Sequence, residues 1–578
     1  LHPRVRRQRQ MCIRDRWCIL STESSEIWMK MIEEKAIKEV IDSLSFVELK
    51  GDIKEDNSCK KNLIDVQTEE GQPPLQWDIR IAPFYPLKVD NSESIHFFNT
   101  SLIAYPHIMR SGFLCLHTPK VENPKEQLEL DLLRLKEWID KYYVRKEKDE
   151  HYEELVVDRN LIEDIYYNFL YTDTNKEFPK NDYGTVDLTK LVPGVHDGKL
   201  MVTFLANTFH SKTSGEEYVC QWGKGNKKQK HYEGIYCFLE QAPSQYDKFV
   251  SEFYNDMSSL FSWCQMQFLF NRSQIKNESQ RVPLFCGYKI PNGEMRWQVA
   301  MLKAHDFPIK LEKVKHGGRP IIYHSYTKTF IDWASSYNCS YDYFFGRGCL
   351  PSSLVDKRIL IIGIGAIGSM VAKTLTRSGS KYLSLYDVDL NEPGNVCRSE
   401  YDFLSGISDK PYELSSILQS ISPFVQCEIS PKDLDSWIKL TMDNDEAKNA
   451  VQEILNRYDI IFDCSTDDGM MYVLDKLNLR AKLVNISISN HANELVCALG
   501  NNITETVKFI YMKIIKSDTT DMFYPTGCWS PTFKASYNDI AAKLQFALKH
   551  IVAMLTATEP ESNFYVSETQ DGMLINRL

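Results

Sequence analysis

No stretch of eighteen consecutive apolar residues occurs in the 578-residue chain, so no membrane-spanning helix organises it. Paired thiolates are missing too. The 15 cysteines are scattered with no CxxC among them, which excludes the zinc ribbon built on such pairs and gives no disulfide framework. A reducing, cytoplasmic compartment is the natural setting. Nor is there an excess of positive charge, and a formal net charge of −10 argues against a nucleic-acid surface. The one basic stretch, Leu1 to Arg16, lacks the apolar centre of a signal peptide. It reads as translated adaptor sequence or a disordered segment and is set aside. What the chain does have is enough apolar material for real cores, 43% hydrophobic and 12% aromatic residues. A length of 578 residues suggests three or four domains at about 150 residues each.

One segment concentrates the chemistry. Arg358 to Leu375 reads as a buried strand, a tight turn at Gly363, Gly365 and Gly368, and a helix whose N-terminal amides face a phosphate. A second strand, Tyr382 to Tyr386, ends on Asp387, where a dinucleotide enzyme places its ribose ligand, about 20 residues on. To this point NAD is the default reading. Asp389, Asn395 and Arg398 then follow, and an amide and a guanidinium just past a strand end suit phosphate oxygens. Downstream, Tyr458 to Asp463 reads as another buried strand, trailed by Asp467 and Asp468. Carboxylates on that rim suit Mg²⁺, which binds through one or two carboxylates plus substrate phosphates. Together these describe a site for ATP rather than NAD. Asp389 and Asp468 read equally well as helix caps or solvated loop acids.

The combination resembles the ThiF/MoeB/E1 adenylyltransferases that activate ubiquitin-like proteins, over roughly residues 350 to 578. The resemblance implies Asp387 on the ribose, Asn395, Arg398 and Lys410 around the phosphates, and Asp467 on Mg²⁺. Lys410 sits one residue closer to the arginine than the family pattern, and Asp468 stands where many relatives have Asn. Arg347 matches an arginine that some relatives donate across a dimer, at a shorter spacing. The family's paired-thiolate zinc site is absent.

Nearer the amino terminus, Trp28, Ile32, Ala36, Val40 and Leu44 mark one helical face. Short alternating segments such as Leu75 to Ile81 follow, then Tyr105-Pro106-His107, Cys115, and a helix marked by Leu128, Leu132, Leu135 and Ile139. This order resembles the ubiquitin-conjugating E2 fold over residues 25 to 150. The resemblance implies that Cys115 accepts the modifier as a thioester. His107 replaces the asparagine of the family's turn, and an imidazole there can donate to an oxyanion or accept a proton from an amine.

Residues 151 to 345 carry no readable motif and are expected to form a linker domain, with a strand at Leu200 to Leu205 and a helix at Tyr246 to Leu269. Toward the carboxyl end, strands at Leu483 to Ser489 and Leu495 to Leu499 precede a loop, Phe523 to Phe533, that carries Cys528. A helix with Ile540, Leu544, Leu548, Ile551 and Leu555 on one face follows. In E1-like relatives a cysteine takes the modifier from AMP, and Cys528 is the candidate. Cys497 is second, because it sits inside an apolar strand where burial disfavours thiolate.

The expected architecture is α/β. A Rossmann-like ThiF/E1 adenylation domain spans 346–578, an α+β E2-like (UBC) domain spans 17–150, and an α+β linker domain spans 151–345. The whole resembles the E2-E1 fusion proteins of bacterial CBASS antiphage systems. That implies ATP and Mg²⁺ as cofactors and, as partner, a ubiquitin-like protein or the C-terminus of a cyclic-nucleotide synthase (CD-NTase). It also implies an amine-bearing target and a homodimer through the adenylation domain. The competing expectation is an adenylyltransferase for a sulfur carrier with a non-catalytic E2-like scaffold.

Overall fold

The computed structural model describes residues 32–56, 59–69, 71–88, 93–102, 105–109, 112–147, 161–222, 231–242, 261–273, 281–290, 293–303, 309–316, 319–326, 332–403, 406–515, 522–523 and 532–578. They fall into two compact units, one running to Asn338 and the other comprising Cys339–Leu578 with the short segment from Gln221.

The first unit begins with the helix Glu34–Ser43, whose Ile37, Val40 and Ile41 are buried. Of the residues marking that face in the sequence, Ile32 and Val40 are buried, Leu44 lies just past the helix end, and Trp28 is outside the described residues. A four-stranded antiparallel meander follows: Val47–Asp56, Cys59–Val66, Leu75–Ile81 and Ile95–Phe98. On the third of these strands Trp77, Ile79 and Ile81 alternate inward, the period-2 pattern of a half-buried sheet. The helix Pro124–Trp138 lays Leu128, Leu132 and Leu135, all fully buried, over that core. Asn123 caps it by accepting the Lys125 N–H, and Pro124 pre-sets its first turn.

The rest of this unit, the span expected to form a linker domain, carries a second sheet. Strands Ile165–Tyr171, Lys199–Ser211, Tyr183–Lys190, His231–Phe238, Val282–Lys289, Met295–Leu302 and Asp332–Asn338 pair in that order, and the last returns to the first. The result is a closed barrel. Its strands bury both faces: Phe209, Tyr236, Phe285 and Trp297 fill one side, with the Phe209 and Trp297 rings stacked 4.7 Å apart. Ile235, Cys237, Leu284 and Cys286 pack on the other, where the helix Trp263–Ser273 supplies Met266 and Leu269. The strand expected at Leu200 to Leu205 is the first half of a thirteen-residue strand. The helix expected from Tyr246 is described only from Trp263, and it runs on to Ser273.

The second unit is built on an eight-stranded sheet. Gln426–Ile429, Tyr382–Tyr386, Arg358–Ile362, Ile460–Asp463 and Lys482–Ser489 run parallel, and Glu494–Leu499, Phe564–Thr569 and Gly572–Arg577 extend the sheet antiparallel. Numbered along the chain, the parallel strands lie in the order 3-2-1-4-5, the doubly wound arrangement. Helices cover both faces. Ala366–Arg377 and Tyr537–Leu555 close one core, and Asp468–Lys476 and Ile503–Ile514 close the other. On Tyr537–Leu555 the residues Ile540, Leu544, Leu548 and Ile551 are buried, as their spacing requires. Among the described residues no helix is long and apolar enough to cross a membrane.

Candidate active site

Strand order reverses between Arg358–Ile362 and Ile460–Asp463, and a crevice opens at the carboxyl ends of strands at such a point. Both strands deliver chemistry there. The first passes into the glycine turn, where Gly363 has φ +75°, and a Cβ on it would lie 2.4 Å from the Ser465 Cα. Only glycine lets the two strand ends approach so closely. A Cβ on Gly368 would meet the Gly363 carbonyl oxygen at 2.1 Å, so this residue serves the packing of helix against turn. Gly365 has nothing within 4 Å of its would-be Cβ, and it caps the helix Ala366–Arg377. The space above it is where the helix amides face outward.

Asp387 closes the turn from the neighbouring strand. Its Oδ2 accepts the Ile364 N–H at 2.9 Å and its Oδ1 accepts the Asp389 N–H at 2.9 Å. Each oxygen keeps a second lone pair. Tyr401, which no motif marks, donates its hydroxyl to the Ile364 carbonyl at 2.7 Å and holds the turn from below. Lys410 is buried to 6% side-chain exposure and stands 3.1 Å from Asp389 and 3.9 Å from Asp387. A buried ammonium between two carboxylates is a paired charge, and its position is set by a ribbon. Leu390–Asn391 pairs with Ser408–Asp409, and Glu413 bonds both strands through Asn391 and Ser408. Asn395 and Arg398 follow the short helix Pro393–Val396, and both side chains are half-buried. Neither makes a side-chain hydrogen bond or ion pair within the described residues.

Carboxylates from the second strand take different positions. Asp463 is buried and locked, accepting the Ser465 N–H and hydroxyl on one oxygen and Asn485 Nδ2 on the other. Burial raises its carboxyl above the usual range despite these bonds. Asp467 is more open. Its Oδ1 accepts the Gly469 and Met470 amides, capping the helix Asp468–Lys476, and its Oδ2 lies 2.9 Å from the Lys439 ammonium. Burial alone would raise it, but Lys439 and the two amides together hold it below the ordinary carboxylate range. The helix cap is therefore Asp467, while Asp468 is an exposed first-turn acid. No group of three or more metal-ligating side chains exists among the described residues. Mg²⁺ needs none where phosphates supply most of its oxygens, and the donor set of Asp467 fits that case if Lys439 yields. Lys439 was not legible as a site residue because its partner Asp467 is 28 positions away.

Of the remaining candidates, Arg347 is exposed beyond the short helix Tyr341–Phe345. Cys528 lies outside the described residues. Cys497 is fully buried, and burial pushes its thiol well up, which disfavours thiolate. In the first unit His107 and Cys115 are brought together. The Cys115 N–H donates to the His107 carbonyl at 2.9 Å, next to a bridge between Ile108 and Leu114. Cys115 is half-buried and His107 adopts φ +65°.

With this geometry, residues 349–487 match the ThiF family. The second unit thus carries a ThiF-type, E1-like domain. More particularly, the chain resembles the ATP-dependent ubiquitin transferase-like protein Cap2 of Enterobacter hormaechei, with 26% identity over 240 residues, 39% of this chain and 38% of that protein. It is also 31% identical over 246 residues to the uncharacterized protein y4qC of Sinorhizobium fredii, covering 39% of this chain and 41% of the relative. The match therefore spans about two fifths of the length of these curated relatives. Among solved structures, E. coli MccB with ATP aligns at 15% identity and a TM-score of 0.28, over 39% of this chain and 64% of that one.

Proposed function

We propose that the chain activates the C-terminal carboxylate of a ubiquitin-like protein, or of a cyclic-nucleotide synthase, with ATP, and passes it through two cysteines to an amine. The observation that carries this reading is the placement of the Gly363 turn, Asp387 and Lys410 at one strand-end crevice, followed in the chain by Arg398, whose side chain has no hydrogen bond or ion pair among the described residues. A nicotinamide site has no use for the last two.

The carboxylate attacks the α-phosphate, pyrophosphate leaves, and an acyl-adenylate remains. Arg398, Asn395 and the turn amides after Gly365 face the charge that develops on phosphate oxygens, an arrangement fixed before reaction. Asp387 holds the ribose while keeping the turn closed. Asp467 would hold Mg²⁺, which when bound supplies neutralisation of phosphate charge. Cys528 then attacks the acyl carbon and expels AMP, and the resulting thioester exchanges onto Cys115. An amine finally displaces Cys115, with His107 as the adjacent polar group. Relay through two thioesters divides one difficult acyl transfer into easier steps. Similarity to the ATP-dependent ubiquitin transferase-like protein Cap2 supports the ubiquitin-like class of substrate, and a place in antiphage defence is part of the same proposal.

The test is incubation with Mg·ATP and a candidate modifier, read on non-reducing gels for the intact chain, Cys115→Ala and Cys528→Ala. A thiol-sensitive adduct on Cys528 that accumulates in Cys115→Ala supports the relay. Full conjugation by Cys115→Ala would reduce the first unit to a scaffold.

A further inference from the structure

The contact between His107 and Tyr142 is built from two uncommon backbone features. His107 sits in the left-handed region at φ +65°, which histidine tolerates better than most side chains and which clusters at functional sites. Opposite it, the helix Pro124–Trp138 passes directly into a single π-helical turn, Ile139–Val144. Such turns are rare and recur at active sites. The wider turn carries Tyr142, 8% exposed, so that its Oη lies 3.2 Å from His107 Nε2, with the rings edge to face at 5.2 Å. One turn earlier on the same face, Trp138 Nε1 donates to the Pro106 carbonyl at 3.0 Å and fixes the preceding residue of the same turn. The His107 carbonyl in turn accepts the Cys115 N–H. Helix, histidine turn and cysteine are thus held as one assembly.

We infer that Tyr142 is a positioning residue that donates its hydroxyl to His107 Nε2 and so fixes the ring proton on Nδ1, making His107 an N–H donor during transfer from Cys115. This rests on the E2-like reading of Cys115. An acceptor nitrogen in neutral imidazole requires the proton on the other nitrogen. In the transfer, the amine nitrogen attacks the thioester carbonyl and the Nδ1–H of His107 donates to the oxyanion. The C–N bond forms and the C–S bond breaks. The electron pair leaves on Cys115 Sγ, and the proton lost by the amine ends on that thiolate or in solvent.

The experiment uses the full chain carrying Cys528→Ser, with Cys115 acylated by a synthetic peptide α-thioester and followed by peptide-resolved mass spectrometry. Discharge onto free lysine is compared in the otherwise unsubstituted chain, Tyr142→Phe, His107→Asn and the double variant. Tyr142→Phe is expected to slow discharge about tenfold, the loss of one oriented hydrogen bond. In the His107→Asn background, whose amide needs no tautomer, Tyr142→Phe is expected to change nothing, which a merely structural role would not produce. Nitrogen NMR of labelled histidine reads the tautomer directly, with His107 expected as Nδ1–H and losing that preference in Tyr142→Phe. Equal slowing in both backgrounds, or an Nε2–H tautomer, overturns the inference. A Cys115 that accepts no acyl group while His107 is Nδ1–H overturns the E2-like reading and with it the role in transfer, leaving only the tautomer assignment.

Discussion

At Asp467 one oxygen caps the helix Asp468–Lys476 and the other faces Lys439, so a substitution series separates the structural from the chemical task. Asp467→Ala removes the cap and is expected to cost about 1 kcal/mol in urea melts. Asp467→Asn keeps a capping oxygen, and the ion pair it loses is partly exposed and worth under about 1 kcal/mol. Asp467→Asn should therefore fold normally yet raise the Mg²⁺ concentration needed for adenylation. The Asp467 carboxyl is held below its ordinary value, so its contribution to stability is present above the unfolded carboxylate pKa of about 3.9 and disappears as pH falls through the lower folded value. Melts at pH 7 and pH 3 check the sign, since the gap between the wild-type chain and Asp467→Asn should close at the acid end.

At the scale of elements the glycine turn makes an ordered prediction. Gly363→Ala and Gly368→Ala drive a methyl into backbone at 2.4 Å and 2.1 Å, and each should destabilise the second unit by about 2 kcal/mol or more, read by thermal melts. Gly365→Ala meets no protein atom. It should melt like the wild-type chain but bind ATP more weakly, because its side chain intrudes only on phosphate. The reverse pattern would mean that the turn is structural alone. This turn was legible in the sequence because strict spacing and an apolar strand before it leave few alternatives, and four of the five parallel strands follow from runs such as Ile359–Ile362, whereas the partly exposed edge strand Gln426–Ile429 offers no such run. What places Asp467 near that turn is the strand order, a long-range fact that no local spacing carries. The π-helical turn at Ile139–Val144 was invisible for a related reason. Ile139 continues the period of Leu128, Leu132 and Leu135, and only packing against His107 reveals that the helix widens there.

For the whole molecule, the barrel marks where sequence reasoning ran out. Ile165–Tyr171 pairs with both Lys199–Ser211 and Asp332–Asn338, and the second partner is more than 160 residues away. Strands buried on both faces also lose the clean alternation that announces a half-exposed sheet, as the run of buried residues in Val282–Lys289 illustrates. The meander of the first unit was readable because its faces differ. If the relay operates across the chain, Cys115→Ala should accumulate a thiol-sensitive adduct at Cys528, whereas Cys528→Ala should form acyl-adenylate and release pyrophosphate once without forming any thioester. Quenched-flow sampling on non-reducing gels separates the two. The account stands first on the crevice being an ATP site, and calorimetric titration of the full chain with ATP in Mg²⁺, against NAD⁺, tests that most directly. ATP is expected to bind at least about tenfold more tightly than NAD⁺, roughly 1.4 kcal/mol, and to lose that advantage in Arg398→Ala. Tighter binding of NAD⁺, or ATP affinity indifferent to Arg398, would contradict it.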